Sequence, residues 1–453
     1  MRDLFVFGLV MLSLPMAFRR PFVGLLLFSW LAYMRPQDLC WSFARPMRFS
    51  FIVGMVMIVG WFVNESHARR FWRPDLRTIL MVVLVVLTSV GLATAKMQNE
   101  WVMRYYLEFV KIMIVALFTT GQVDTKARLR TLLWTIAICL GFFGFKGGVW
   151  CFLNGGLTIL RGPGGMLEDN NDFALALVMN IPLLFYLGRS EKTRWIRTLT
   201  NITIFLTIVT ILCTHSRGSF VALTCMSFLM AWRSQYLLRG LGFFALLVLL
   251  FFTFAPEHVM ERVASIAEGT SDSSAGARIA AWTVAARMIV EFPLFGVGLR
   301  NFQMHWQDFS YGVFQTGGGG KQLTYVAHNS YLQIWAEAGT FAFAVYVVLL
   351  LSVFFVCYRM RRMIEGRPDM EWAWFYARMF EATTFGFMIG AVFLNRGHFD
   401  LLYHWIALIS CMFVIVKFEY ARGHNPEQSQ KTGIRWRWRT ADSGPGMLPK
   451  WGR

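Results

Sequence analysis

Carboxylates are scarce in this chain. Aspartate and glutamate number 26 against 44 lysines and arginines, and charged residues fill only 15% of 453 positions. Soluble domains carry ~25%, so the two or three soluble domains that the length alone suggests lack the polar surface to cover them. The marks of common soluble enzymes are missing too. No GxSxG, HExxH or dinucleotide-binding fingerprint occurs. The run GGGGKQ at 317–322 lacks the GxxxxGK[ST] pattern of a phosphate-binding loop and reads as a loop tip. The seven cysteines include no CxxC and no Cys/His metal spacing. Cys139, Cys213, Cys225, Cys357 and Cys411 lie within or beside apolar runs, where a thiol acts as a small hydrophobe. Cys40 and Cys151 face an oxidising side on the orientation argued below, but nothing in the sequence pairs them. The opening MRDLFVFGLVMLSLPMAFRRP is not a cleavable signal: its basic pair Arg19–Arg20 follows the apolar run, and no small-residue cleavage site appears. No internal repeat is visible, whereas many transporters repeat their halves.

What the chain has is apolar length. Hydrophobic residues make up 56% and aromatics 16%, and the mean hydropathy is +0.48. Apolar runs recur at about 4–18, 22–34, 49–63, 76–95, 105–120, 129–150, 171–188, 198–214, 218–233, 239–255, 330–357, 375–394 and 401–418. A helix needs ~20 residues to cross the hydrocarbon core, and most of these runs approach that length. They lack the alternation of barrel strands, so the expectation is an all-α polytopic membrane protein with about 12, or 13, crossings. Pro15 and Pro21 should break the first two runs. The divisions are 1–255 as N-terminal spans, 256–328 as a polar loop domain, 329–418 as C-terminal spans and 419–453 as a basic tail. The tail's RWRWR run suits a solvated segment or an anionic lipid surface.

A net charge of +18 invites a nucleic-acid reading. The distribution argues against it. HARRFWRPDLR, DTKARLR, GRSEKTRWIR, YRMRRMIEGR and the tail all fall on one side when spans are counted, which is the positive-inside bias. The long polar interruption then lies on the other side, with 96–104, 151–170 and 395–400.

Three residues on that outer face carry the chemistry. Arg217, in CTHSRGSF, is the only Asp, Glu, Lys or Arg between Thr198 and Trp232; it sits at a tight turn where Ser216 can cap the next helix. An outward arginine runs against the positive-inside bias, so an anion is its natural partner. Arg278 opens a helical pattern with Ile279, Trp282, Ala286 and Ile289 at helical spacing, Ser273 or Ser274 as cap and Pro293 beyond its end. A cation opposes the dipole there, whereas an anion suits the free N–H groups. His328 precedes a long apolar helix whose positive end keeps the imidazole neutral and able to take a proton. Glu337, nine residues on, turns away from His328 and reads as a buried partner for another helix. Arg161, Arg300, Lys321, Arg396, His398 and Asp400 share the outer face and suit a polyanionic or sugar ligand. Glu168, Asp169 and Asp172 read as helix-start residues rather than a metal cluster.

Taken together and in order, SRG, AGARIAAW and HNSYLQIWAEAG resemble the O-antigen ligase superfamily. The opening 41 residues and EDNNDFALALVMNIPLL look more like the branch of O-glycosylation ligases associated with exosortase systems. The resemblance runs from residue 1 to about 418, and HNxxLQ…ExG is its most specific part. It implies a GT-C type glycosyltransferase in the bacterial inner membrane with a periplasmic site. Such an enzyme moves a glycan from undecaprenyl diphosphate to lipid A–core in lipopolysaccharide biosynthesis, with no cofactor or metal. By motif, Arg217 and Arg278 are then diphosphate-binding, with Arg161 in support, and His328 is the general base. A protein acceptor, or another lipid-linked glycan as in a polymerase, uses the same donor. A flippase for the lipid-linked sugar is the alternative from another class.

Overall fold

A computed structural model describes residues 1–156, 158–233, 273–313 and 326–424, with positions 242, 245 and 249. The run expected to cross at 239–255 and the RWRWR tail therefore lie almost wholly outside the described residues, as does Lys321. Among the described residues the regular structure is helical, apart from an isolated antiparallel bridge between Arg161 and Asp169.

The helices are α1 (Arg2–Arg19), α2 (Pro21–Tyr33), α3 (Phe49–Asn64), α4 (Leu76–Ala93), α5 (Glu100–Gln122), α6 (Lys126–Leu153), α7 (Asn170–Ser190), α8 (Arg194–Cys213), α9 (Arg217–Trp232), α10 (Ser273–Glu291), the single turn α11 (Trp306–Phe309), α12 (Ser330–Met363), α13 (Glu371–Gly390) and α14 (Asp400–His424). Their starts are chemically marked. Asp75, Asn99, Thr125, Asp169, Ser216 and Asn329 each accept a backbone N–H from the first turn of the helix that follows. Among the described residues six helices are long and apolar enough to cross a membrane: α4, α6, α7, α8, α12 and α14. The apolar helices α2, α3 and α9 are shorter. The sequence places a break at Pro15, yet α1 runs through it. Proline removes one intrahelical bond, and the long apolar helix absorbs that loss. Pro21 does end the run, because it opens α2 at N1.

Two helices form the interior. Every residue of α7 from Phe173 to Leu184 is buried, because α6, α8, α9 and α13 surround it. α14 lies against α4, α5, α6, α12 and α13. Small residues bring the backbones together. Around Gly148 of α6, a Cβ would stand 2.4 Å from the Leu206 carbonyl oxygen of α8, so only glycine permits this approach. Thr210 Oγ1 crosses the same seam to the Gly144 carbonyl at 2.6 Å. The three helices α1–α3 pack at the edge around Val6, Val10, Leu31 and Val53.

α12 is broken where the polar loop meets it. Gly339 has φ 82° and ψ 177° inside the helix, a left-handed conformation that glycine adopts without strain. The break frees backbone groups, and the loop takes them. Val297 N donates to Ala336 O and Gly298 N to Glu337 O, both at 2.9 Å, while Thr340 N donates to Pro293 O at 2.9 Å. The Glu337 side chain is 3% exposed; it accepts Gln333 Nε2 at 3.3 Å and the backbone N–H groups of Arg300 and Phe302. It is buried, as its spacing suggested, but it holds a loop rather than another helix.

The helix expected around Arg278 forms as α10, on a rotated face. Ala280, Ala281, Val284, Ala285 and Met288 are buried, whereas Ile279 is 63% exposed. α10 packs on α12, and alanines allow that approach while the branched residue turns outward.

Candidate active site

The starts of α7, α9 and α12 converge at one end of the bundle. Asn170 Nδ2 donates to Thr214 O at 2.9 Å, and Ser219 Oγ donates to Asn171 O at 3.2 Å, which ties the start of α9 to that of α7. The loop 391–399 ties in α12. Ser330 N donates to Ala391 O at 2.8 Å, Ser330 Oγ to Leu394 O at 2.7 Å, and Arg396 N to Ser330 Oγ at 2.8 Å. The same loop lies on α9, because a Cβ at Gly218 would stand 2.6 Å from Phe393 Cβ. Helix N-termini present unsatisfied N–H groups and a partial positive charge, so three together favour an anion.

Arg217 is the first residue of α9, behind its Ser216 cap, and so stands in this layer. His328 lies two residues before α12, with φ 45°. A histidine in this left-handed conformation is uncommon and is held by its surroundings. Asn329 fixes the following turn by accepting Tyr331 N and Leu332 N at 2.9 and 3.1 Å. Trp282 Nε1 of α10 donates to Ala327 O at 3.1 Å, which docks α10 beside His328. Arg278 is one turn earlier on α10, and its charge is felt at the imidazole. Burial first, then Arg278, push the His328 pKa below its ordinary 6.5, while Asp169 acts the other way. Desolvation and the guanidinium thus act in the same direction as the helix dipole expected from its place before α12.

The supporting residues divide. Arg161 bridges Asp169 through the backbone, and Asp169 caps α7 by accepting Asn171 N at 2.8 Å, as its place in the sequence suggested. Asp172 is buried and ion-paired with Arg396. Burial works against the Arg396 charge, but the Asp172 carboxylate outweighs it and holds the guanidinium pKa above its ordinary value. Nothing local links residues 224 positions apart, so the sequence reading found both members and missed the pair. Arg300, with φ 60°, stacks on Tyr105 at 4.1 Å. His398 is pushed down to about 3 by burial and by Arg300, and its ring stands edge-on to Phe109 at 4.7 Å. It stays neutral at any physiological pH and packs as an aromatic. Asp400 begins α14.

A crevice next to Ala327 has no room inside it for even a water-sized sphere. Arg300, Phe302, Gln303, Val326, Ala327, Glu337 and Asn395 line it. A sugar ring therefore cannot occupy it as it stands. Among the described residues no group of three or more His, Cys, Asp and Glu side chains is arranged to hold a metal ion.

Residues 202–347 match the family described as O-antigen ligase (Wzy_C). Over those residues, about a third of the chain, the match supports membership of the O-antigen ligase superfamily. Residues 1–192 match a family of unknown function (DUF5935), and no curated protein matches the chain. Members of the O-antigen ligase family are glycosyltransferase-like ligases and polymerases that handle lipid-linked glycans. The match covers Arg217, Arg278, Arg300, His328 and Glu337. Arg161, Asp169 and Asp172 fall in the other matched region, and Arg396 lies beyond both. The layer around His328 is therefore built from all three parts of the chain.

Proposed function

We propose that this protein is an O-antigen ligase. It transfers a glycan from undecaprenyl diphosphate to lipid A–core, at a site facing the periplasm across the inner membrane. The reading rests on one observation: a half-buried, neutral-leaning His328 beside Arg278, in the layer where α7, α9 and α12 begin and Arg217 stands. It takes the chain as a GT-C protein with 12 or 13 crossings, of which 256–328 forms the periplasmic loop domain.

The residues then have these parts. Arg217 and Arg278 hold the diphosphate, with Arg161 nearby, because forked guanidinium donors suit its oxygens better than a point-charge ammonium. His328 takes the proton of the acceptor sugar hydroxyl as that oxygen attacks the anomeric carbon. The glycosidic bond to the carrier breaks, its electron pair leaves with the diphosphate, and the new bond has inverted configuration. The donor bond supplies the driving force, so no nucleotide enters. Asp172 and Arg396 set the loop against which α12 starts.

Purified protein in vesicles, supplied with the lipid-linked glycan and lipid A–core, tests this by product mass. Wild type should form the ligated product; His328→Ala should bind donor and form none. Transfer only to a protein, or only to another lipid-linked glycan, would overturn the acceptor assignment. Translocation without transfer would overturn the reaction.

A further inference from the structure

We infer that Cys151 and Cys213 form a disulfide joining the ends of α6 and α8 nearest the site. The two helices run parallel and in register. Going along them, Gly141 faces Thr203, Gly144 faces Thr207, and Gly147 and Gly148 face Thr210 and Leu206. Cys151 lies seven residues beyond Gly144 on α6, and Cys213 lies six beyond Thr207 on α8, so the same seam carries both helices to their cysteines. From Gly144 to Gly148 the seam is too close for added Cβ atoms: they would stand 2.1 Å from Thr207 Oγ1 and 2.4 Å from Leu206 O. A disulfide requires Cα atoms about 4.4–6.8 Å apart, and backbones held together by glycine bring cysteines within that range. Both cysteines are free thiols in this structure, close enough to hydrogen-bond to each other. Cys151 is buried and Cys213 half-buried, so one sulfur stays within reach of a partner.

Both cysteines also anchor the loop that carries Arg161 and Asp169. Gly156 N donates to Cys151 O and Ile159 N to Cys213 O, each at 2.8 Å. A covalent bond here fixes the base of that loop.

Oxidation proceeds by exchange with a disulfide donor, such as a disulfide-bearing oxidoreductase or oxidised glutathione. The Cys213 thiolate attacks a donor sulfur and one donor thiolate leaves. The Cys151 thiolate then attacks Cys213 Sγ and expels the second. Two thiols lose two protons and two electrons, and the donor is reduced to its dithiol. This requires that the end holding the site face an oxidising compartment; it does not require glycan transfer.

The test uses the full protein in its native membranes. Thiols are trapped with acid, the protein is denatured in detergent with N-ethylmaleimide, and peptides are identified by mass. The expected result is a cross-linked peptide pair, two hydrogens lighter than the dithiol form, containing Cys151 and Cys213. Dithiothreitol before trapping should convert it to two alkylated peptides. It should also speed amide exchange at Gly156 and Ile159 in wild type, with no further effect on a Cys151→Ser/Cys213→Ser variant. Recovery of both cysteines alkylated without prior reduction would overturn the inference, as would unchanged exchange on reduction of wild type. Neither readout uses transferase activity, so failure here and failure of the ligase reading are separate results.

Discussion

Replacing Asp172 by asparagine isolates the contact that sets the loop over the site. Asp172 and Arg396 form an ion pair in which the carboxylate side chain is 6% exposed and the guanidinium side chain 26%. Removing one member of a buried pair costs ~3–5 kcal/mol, mostly because the other charge is left unpaired. Asparagine keeps an acceptor, and water reaches part of Arg396, so the expected loss is about 2 kcal/mol. Arg396→Gln should cost less, because it leaves a carboxyl that can take a proton. The double variant should lie at least about 1 kcal/mol above the sum of the singles, since neither charge is then stranded. Reversible unfolding in mixed micelles measures all three. Amide exchange across 391–399 supplies a local readout, because this loop holds the start of α12 through Ser330. If Asp172→Asn stays within about 0.5 kcal/mol of wild type, or the double variant equals the sum of the singles, the pair does not organise the site.

Transfer rate against pH should fall on the acid side as His328 takes a proton, with that limb below its ordinary 6.5. Arg278→Gln removes a charge that depresses the imidazole and should move the limb up; Asp169→Asn removes an opposing charge and should move it down. Movement of both in one direction would sink the assignment of His328 as base. Arg217→Ala should weaken donor binding, and Arg217→Lys should restore little of it, measured by titration with the lipid diphosphate; full recovery with lysine would reduce its part to simple charge. Gly148→Ala should destabilise by ~1–3 kcal/mol, because a Cβ meets the Leu206 carbonyl and the helices must part. Gly8→Ala, where nothing lies within 4 Å, should gain up to ~1 kcal/mol from helix propensity. Equal melting shifts for the two would refute the seam.

Hydrophobicity and capping are local properties, so the sequence alone determined the all-helical membrane class and the starts of α4, α7, α9 and α12. It also offered Arg217, Arg278 and His328 as candidates, because isolated polar residues stand out in apolar surroundings and carry a recognisable pattern in order. The buried face of α10 was not legible. Its alanines and isoleucines are all apolar, and only the approach of α12 decides which of them it covers. The Asp172–Arg396 pair, the clamp of Glu337 on the 298–302 loop, and the meeting of Cys151 with Cys213 belong to the tertiary structure. Each joins groups whose separation along the chain carries no signal, and each depends on how closely particular backbones pack.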